Sequence, residues 1–165
     1  MSRRLHLLAA TVGLGAMLST VAAQATTSTA SMLVTATVLS YCAITANPLP
    51  FGNYSTTATS TANTTVGVLC TNGTPYNVGL NAGAGTGATV ANRLMTNALG
   101  TQTLAYNLYT TSALASVWGN TVGTNTVTGT GTGLNQTLNV YGQILSGQNV
   151  AAGLYTDTIT ATLTY

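Results

Sequence analysis

The stretch GLYTDTITATLTY, residues 153–165, alternates with a period of two. Tyr155, Asp157, Ile159, Ala161, Leu163 and Tyr165 fall on one side, and Thr156, Thr158, Thr160, Thr162 and Thr164 on the other. Successive side chains of an extended chain point to opposite faces. The pattern therefore predicts a strand with one apolar face and one face of β-branched hydroxyls. The same period recurs upstream. Ala30, Met32, Val34, Ala36 and Val38 share a face, as do Val66, Val68 and Cys70, then Tyr76, Val78 and Leu80. Leu104, Tyr106 and Leu108 follow, and then Leu138, Val140, Gly142 and Ile144. Helical periodicity is nearly absent. Asn72-Gly73, the glycine-rich NAGAGTGA from Asn81 and TGTGTG near Gly129 supply turns between the runs. Several short strands at this spacing predict an all-β sandwich, in a single domain large enough to bury its own core. A long final strand with no successor leaves a backbone edge that soluble proteins usually protect.

The first 25 residues read as a cleaved secretory signal: Arg3-Arg4, an apolar run from Leu5 to about Val21, and Ala23-Gln24-Ala25 at the cut. A membrane anchor is the competing reading, opposed by the short run and the polar residues that follow. Cleavage removes Arg3, Arg4 and the only histidine, His6. The remaining 140 residues keep Arg93 and Asp157 as their only charged side chains, with no Lys or Glu. Nucleic-acid binding, which needs several cations against phosphates, is excluded. Thr makes up 33 of those 140 residues, so solubility rests on uncharged groups. With little colloidal repulsion, such a surface tolerates contact with copies of itself.

Catalysis needs groups that move protons, attack as nucleophiles or hold metals. The mature chain offers no His, Lys or Glu and a single Asp, so no enzyme, metal or cofactor is expected. Cys42 and Cys70, in an exported chain, are expected to form one disulfide, contributing about 3–4 kcal/mol in the chain-entropy model. Arg93 and Asp157 either pair with each other or stand apart, the Arg in a solvated loop and the Asp at a strand entrance, bonded to a nearby turn. Trp118 is either a core or edge aromatic or, with Tyr106 or Tyr109, a sugar-stacking platform. The GAGTG around Gly83–Gly87 lacks the Lys-Ser/Thr of a phosphate loop and reads as a hairpin. TNTVTGTGTG from Thr124 reads as a mobile connection or a Thr-rich edge strand.

Taken together, Cys42 behind an alternating run, ITANPLPFGNY (Ile44–Tyr54), Cys70, AYNLY (Ala105–Tyr109) and GLYTDTITATLTY resemble the spore coat protein U domain family, shared with pilins of the archaic chaperone–usher pathway. Pro48, Phe51, Gly52 and Tyr54 carry the resemblance at one end, and Gly153, Tyr155, Asp157 and Tyr165 at the other. It spans essentially the whole mature chain. The resemblance implies an incomplete immunoglobulin-like β-sandwich lacking its last strand and completed by donor-strand addition. It implies three partners in turn: a periplasmic chaperone, an outer-membrane usher and copies of the chain itself in a polymer. Residues 26–38 are then assigned as a donor-strand extension with Met32, Val34, Ala36 and Val38 as its apolar row, although these residues could equally form the first strand of the domain or be divided between the two roles. Residues 39–165 form the sandwich, and Tyr155, Ile159, Ala161, Leu163 and Tyr165 the edge that a chaperone or neighbour grips. The implied function is that of a structural subunit of a cell-surface pilus, secreted through the periplasm, for adhesion and biofilm formation on a glycan or abiotic surface. The alternative is a secreted spore-coat or lectin-like adhesin module that binds glycans.

Overall fold

The computed structural model describes residues 23–165; the signal segment through residue 22, with Arg3, Arg4 and His6, lies outside them. Residues 23–36 and the compact unit Thr37–Tyr165 are distinct bodies. In the first, no helix or strand forms, and Met32 and Val34 are 87% and 81% exposed. The alternating run at 30–39 is therefore not a strand here: a strand needs a ladder partner, and alternation by itself supplies none.

The second unit is antiparallel throughout, with nine strands. They are β1 (Cys42–Ala46), β2 (Ser60–Cys70), β3 (Pro75–Leu80), β4 (Arg93–Asn97), β5 (Thr103–Tyr109), β6 (Val127–Thr130), β7 (Asn135–Ile144), β8 (Tyr155–Thr156) and β9 (Ala161–Thr164). One sheet has the order β1-β2-β7-β5-β4-β8 and the other β6-β3-β9. This all-β arrangement is consistent with an immunoglobulin-like sandwich. The period-two faces read from the sequence are the buried ones. Val66, Val68 and Cys70, Tyr76, Val78 and Leu80, and Leu104, Tyr106 and Leu108 all enter one core with Val140 and Ile144. The Thr-rich stretch near 124–133 supplies β6, an edge strand against β3.

The final segment departs from the single strand predicted for it. Its alternation is kept: Tyr155, Asp157, Ile159, Ala161 and Leu163 are half-buried and the intervening Thr residues exposed. Its ladder is not, because β8 pairs with β4 and β9 with β3. Between them residues 157–160 cross from one sheet to the other. Asn81 clamps this crossover, its backbone N–H donating to the Thr160 carbonyl and its Oδ1 accepting from the Thr160 N–H. Asp157 pins the same crossover to the 81–92 turn. Period-two patterning fixes which side chains face inward but leaves the choice of sheet open.

Candidate functional site

β1 is the edge of the six-stranded sheet and β9 the edge of the three-stranded one; each is hydrogen-bonded on one side only. The two strands approach to within 8 Å (Cα–Cα) without sharing a ladder. Beside them the sandwich is open. A cavity of about 510 Å³ runs between Ala46–Leu49 on one wall and Tyr155–Ala161 on the other, floored by Val66, Tyr106, Leu108 and Val140. A neighbouring cavity of about 770 Å³ shares Leu49, Phe51, Met95 and Tyr155 with it and continues along Gly52–Tyr54 and Val150–Leu154. The core is thus accessible along one seam, flanked by unpaired backbone.

Local sequence explains how the seam is held. Cys42 and Cys70 face each other in the β1–β2 register and form the disulfide, which fixes the β1 wall. Beyond β1, Pro48 and Pro50 cannot donate to a ladder, so the chain leaves the sheet as a loop. That loop turns Leu49 and Phe51 inward over Gly142. A Cβ at Gly142 would sit 2.6 Å from Phe51 Cζ and 2.7 Å from Leu49 Cδ2, so any side chain there must push these two tips out of the notch into which they pack. The Phe51 ring meets Tyr106 edge-to-face, centroids 6.0 Å apart.

The polar end of the seam is built around Asp157. Its Oδ1 accepts from the N–H of Ala84 and of Thr158, both at 2.7 Å, and its Oδ2 accepts from the Tyr106 hydroxyl at 2.7 Å. The turn that donates is the glycine-rich one, and Gly83, at φ +87, lies against the carboxylate where a side chain would not fit. Burial, then the hydrogen bond and charge of Asp157, push the Tyr106 phenol well above its ordinary range, while the Arg93 charge pulls the other way.

Neither sequence reading of Arg93 describes its place. It is fully buried and makes no ion pair within the described residues. All five of its N–H donors are instead used. Nε donates to the Asn81 carbonyl (2.8 Å), Nη1 to the Val90 carbonyl (3.1 Å) and Asn107 Oδ1 (3.0 Å), and Nη2 to the carbonyls of Leu80 (3.0 Å) and Trp118 (2.6 Å). Burial lowers its pKa, opposed by the electrostatic pull of the Tyr106 phenol and the Asp157 carboxylate, and the guanidinium stays protonated. Arg93 thereby ties the end of β3 to β4 and β5, stapling the two sheets beneath the seam. Trp118 is likewise fully buried, its Nε1 donating to the Val78 carbonyl at 2.8 Å, and it cannot serve as a sugar-stacking platform.

Of the edge residues named from sequence, Tyr155, Ile159 and Ala161 line the seam and Leu163 packs on the core, while Tyr165 is 59% exposed. Met32, Val34, Ala36 and Val38 are exposed and in no strand. Sequence reasoning missed the lining contributed by Leu49, Phe51 and Met95 and the Gly142 notch. Phe51 stood out only within a family motif, and nothing in a period-two pattern marks a loop residue as inward-facing.

Comparison with known proteins places this geometry. The Spore Coat Protein U domain matches residues 28–162. Protein U of Myxococcus xanthus is 44% identical over 87 residues, which cover 53% of this chain and 48% of that protein, so the match spans about half of that relative. A chain in the crystal structure of the CsuC-CsuE chaperone-tip adhesion subunit pre-assembly complex, from the archaic chaperone-usher Csu pili of Acinetobacter baumannii, shares the fold. Its TM-score is 0.59 at 24% identity, over 78% of this chain and 40% of that one. Among the described residues no three His, Cys, Asp or Glu side chains converge.

Proposed function

The chain belongs to the Spore Coat Protein U domain family, and from that premise we propose that it is a structural subunit of a secreted surface polymer, a chaperone–usher type pilus built by donor-strand exchange. The observation that carries the reading is the open seam: two unpaired strand edges, β1 and β9, flank an apolar groove that reaches the core. Bare edges beside exposed apolar surface are aggregation sites unless another chain covers them. A strand of a periplasmic chaperone covers the groove in transit, and at the outer-membrane usher the 26–38 segment of a second copy replaces it. Met32, Val34, Ala36 and Val38 of that copy point into the groove, and Tyr155, Ile159, Ala161, Leu163 and Tyr165 form the receiving edge. The sandwich proper is residues 39–165, and residues 1–25 direct export through the periplasm to the cell surface. Each added ladder hydrogen bond contributes about 0.5–1.5 kcal/mol net. Because each copy completes a different neighbour, the contact does not close on itself and the product is a filament, used for adhesion and biofilm formation.

Geometry sets one condition. A strand lying between β1 and β9 separates them by two ladder spacings, about 9.6 Å. Where they now approach to within 8 Å, insertion must move them apart by about 1.5 Å or more. The likeness to a chaperone–adhesin complex supports the reading at the level of fold.

The test is deletion of residues 26–38 from the exported chain, followed by electrophoresis in cold detergent. Ladders of polymer from the parent and their loss in the deletion are expected. Ladders that persist in the deletion overturn the donor assignment. The relationship to Protein U favours one second reading, an extracellular coat built from the same self-associating domain; electron micrographs showing layered material in place of fibres would favour it.

A further inference from the structure

A second concave site lies away from the seam. β5 pairs with β7 only from Asn107↔Gln143 to Tyr109↔Tyr141. The chain then leaves as the 110–117 loop and returns at the Tyr109↔Val117 bridge. Among the described residues no strand replaces β5 beside residues 137–139, so the β7 backbone is open on that side. Between loop and strand lies a cleft of about 310 Å³. Its rim carries Thr110, Thr111, Ser112, Thr137, Asn139 and Tyr141, and buried Trp118, with Val127 and Leu138, forms its floor.

The chemistry of this rim is unlike that of the seam. It has four hydroxyl side chains, one amide and one phenol, and no charged side chain. Among the described residues, the side chains of Thr111, Ser112, Thr137, Asn139 and Tyr141 make no hydrogen bond, so their donors and acceptors are free for a ligand. Tyr141 stands opposite Tyr109 and Asn63 in the register, which extends the amide-and-phenol surface across the outer face of the sheet. The two charged groups of the described residues are committed elsewhere, Arg93 to five acceptors and Asp157 to three donors. A charged ligand would lose hydration here and gain no counter-charge.

We propose that this cleft is a binding site for a neutral saccharide. A pyranose presents an apolar C–H face, which suits the electron-rich face of Tyr141. Its ring of hydroxyls, each donor and acceptor, suits the mixed donors and acceptors of the Thr and Ser hydroxyls and the Asn139 amide. The volume is at the lower end of small-molecule sites, which run from about 300 Å³, and fits one or two sugar units of a longer chain. The chain continues along the Tyr109, Asn63 and Gln143 surface. The site does not depend on strand donation, and it relocates sugar recognition from Trp118, which is buried, to Tyr141, which is not.

The test is saturation-transfer difference NMR on the exported full chain with maltotetraose, cellotetraose and chitotetraose, and with tetragalacturonate as the charged counterpart. Saturation of the ring protons of at least one neutral tetrasaccharide is expected, with an affinity of about 1 mM. Asn139→Ala and Thr111→Val, both at exposed positions, should each weaken it severalfold, and Tyr141→Ala about tenfold, with the Trp118 fluorescence of the folded chain unchanged. Leu99→Ser, on the β4–β5 turn, should leave binding as it is. If Tyr141→Ala does not fold, Asn139→Ala and Thr111→Val decide the matter. The proposal is overturned by no transfer to any neutral sugar at about 10 mM, by equal binding of tetragalacturonate, or by transfer that survives the cleft substitutions.

Discussion

Replacing Arg93 with methionine tests whether the two sheets are held together by a buried cation. Methionine keeps the apolar stem of the side chain but lacks the guanidinium and donates to nothing. Four backbone carbonyls, of Leu80, Asn81, Val90 and Trp118, and the Asn107 Oδ1 lose their donor. Hydrogen bonds from a charged donor contribute about 1.5–3 kcal/mol each, roughly 7–15 kcal/mol for five. Sparing the guanidinium its desolvation returns several kcal/mol of that. The net loss is about 3–6 kcal/mol, a large fraction of the roughly 5–15 kcal/mol that holds a typical domain together. A buried ion pair can often be exchanged for apolar residues at no loss because both partners are removed. Here four of the five acceptors are main chain and stay behind. Thermal unfolding of the disulfide-bonded chain, followed by fluorescence of Trp118, its only tryptophan, should show a drop in Tm of at least about 10 °C. Arg93→Lys, with three donors on one nitrogen, should fall between parent and Met variant. A Met variant within about 3 °C of the parent would refute the staple.

Three further outcomes are expected. Gly142→Val drives a side chain into Phe51 and Leu49, and should cost about 1–3 kcal/mol as overpacking while weakening capture of any strand in the groove, read by urea unfolding and by binding of a synthetic peptide covering residues 26–38. Asp157→Ala leaves the Ala84 and Thr158 N–H groups and the Tyr106 hydroxyl without their acceptor; a loss of about 2–4 kcal/mol in urea unfolding is expected. In alkali, Tyr106 is held neutral in the fold at a pH where the unfolded chain ionises it, so its stabilising contribution is intact below about pH 10 and is lost as pH rises beyond. Tyrosinate absorbance should show a phenol that ionises only well above the ordinary range, and in Asp157→Ala that phenol should move back toward the ordinary range yet stay raised, because burial is the larger cause.

How much of this was legible beforehand follows from what a two-residue period encodes. It reports which side chains face inward, and Val66, Val68, Tyr76, Val78, Leu80, Leu104 and Leu108 are buried as read. It does not report which strand lies alongside. The terminal run, with unbroken alternation, divides between two sheets because Asn81 and Asp157 anchor the middle of it to the 81–92 turn. The run at 30–39 alternates as well as any and forms no strand. The floor of the seam, Val66, Tyr106, Leu108 and Val140, lay in the alternating runs, whereas the loop residues Leu49 and Phe51 that turn in over it stood out only within the family motif. Arg93 was misread because a lone charge in an uncharged chain invites either a partner or solvent, whereas the oxygens that converge on it, from Leu80 to Trp118, are brought together only by the tertiary fold.

The disulfide has a mechanical consequence. Cys42 and Cys70 are directly opposed, and β2 goes on to share ten residue pairs with β7. A pull applied to β1 is therefore not resisted by its own short ladder alone, whose bonds would otherwise break in succession from the free side. It passes through a covalent link into the strand next to the middle of the sheet, where a long antiparallel ladder shares the load in shear. In a chain under tension through this edge, rupture then falls on whatever is non-covalently seated against β1, and the domain that bears it stays folded.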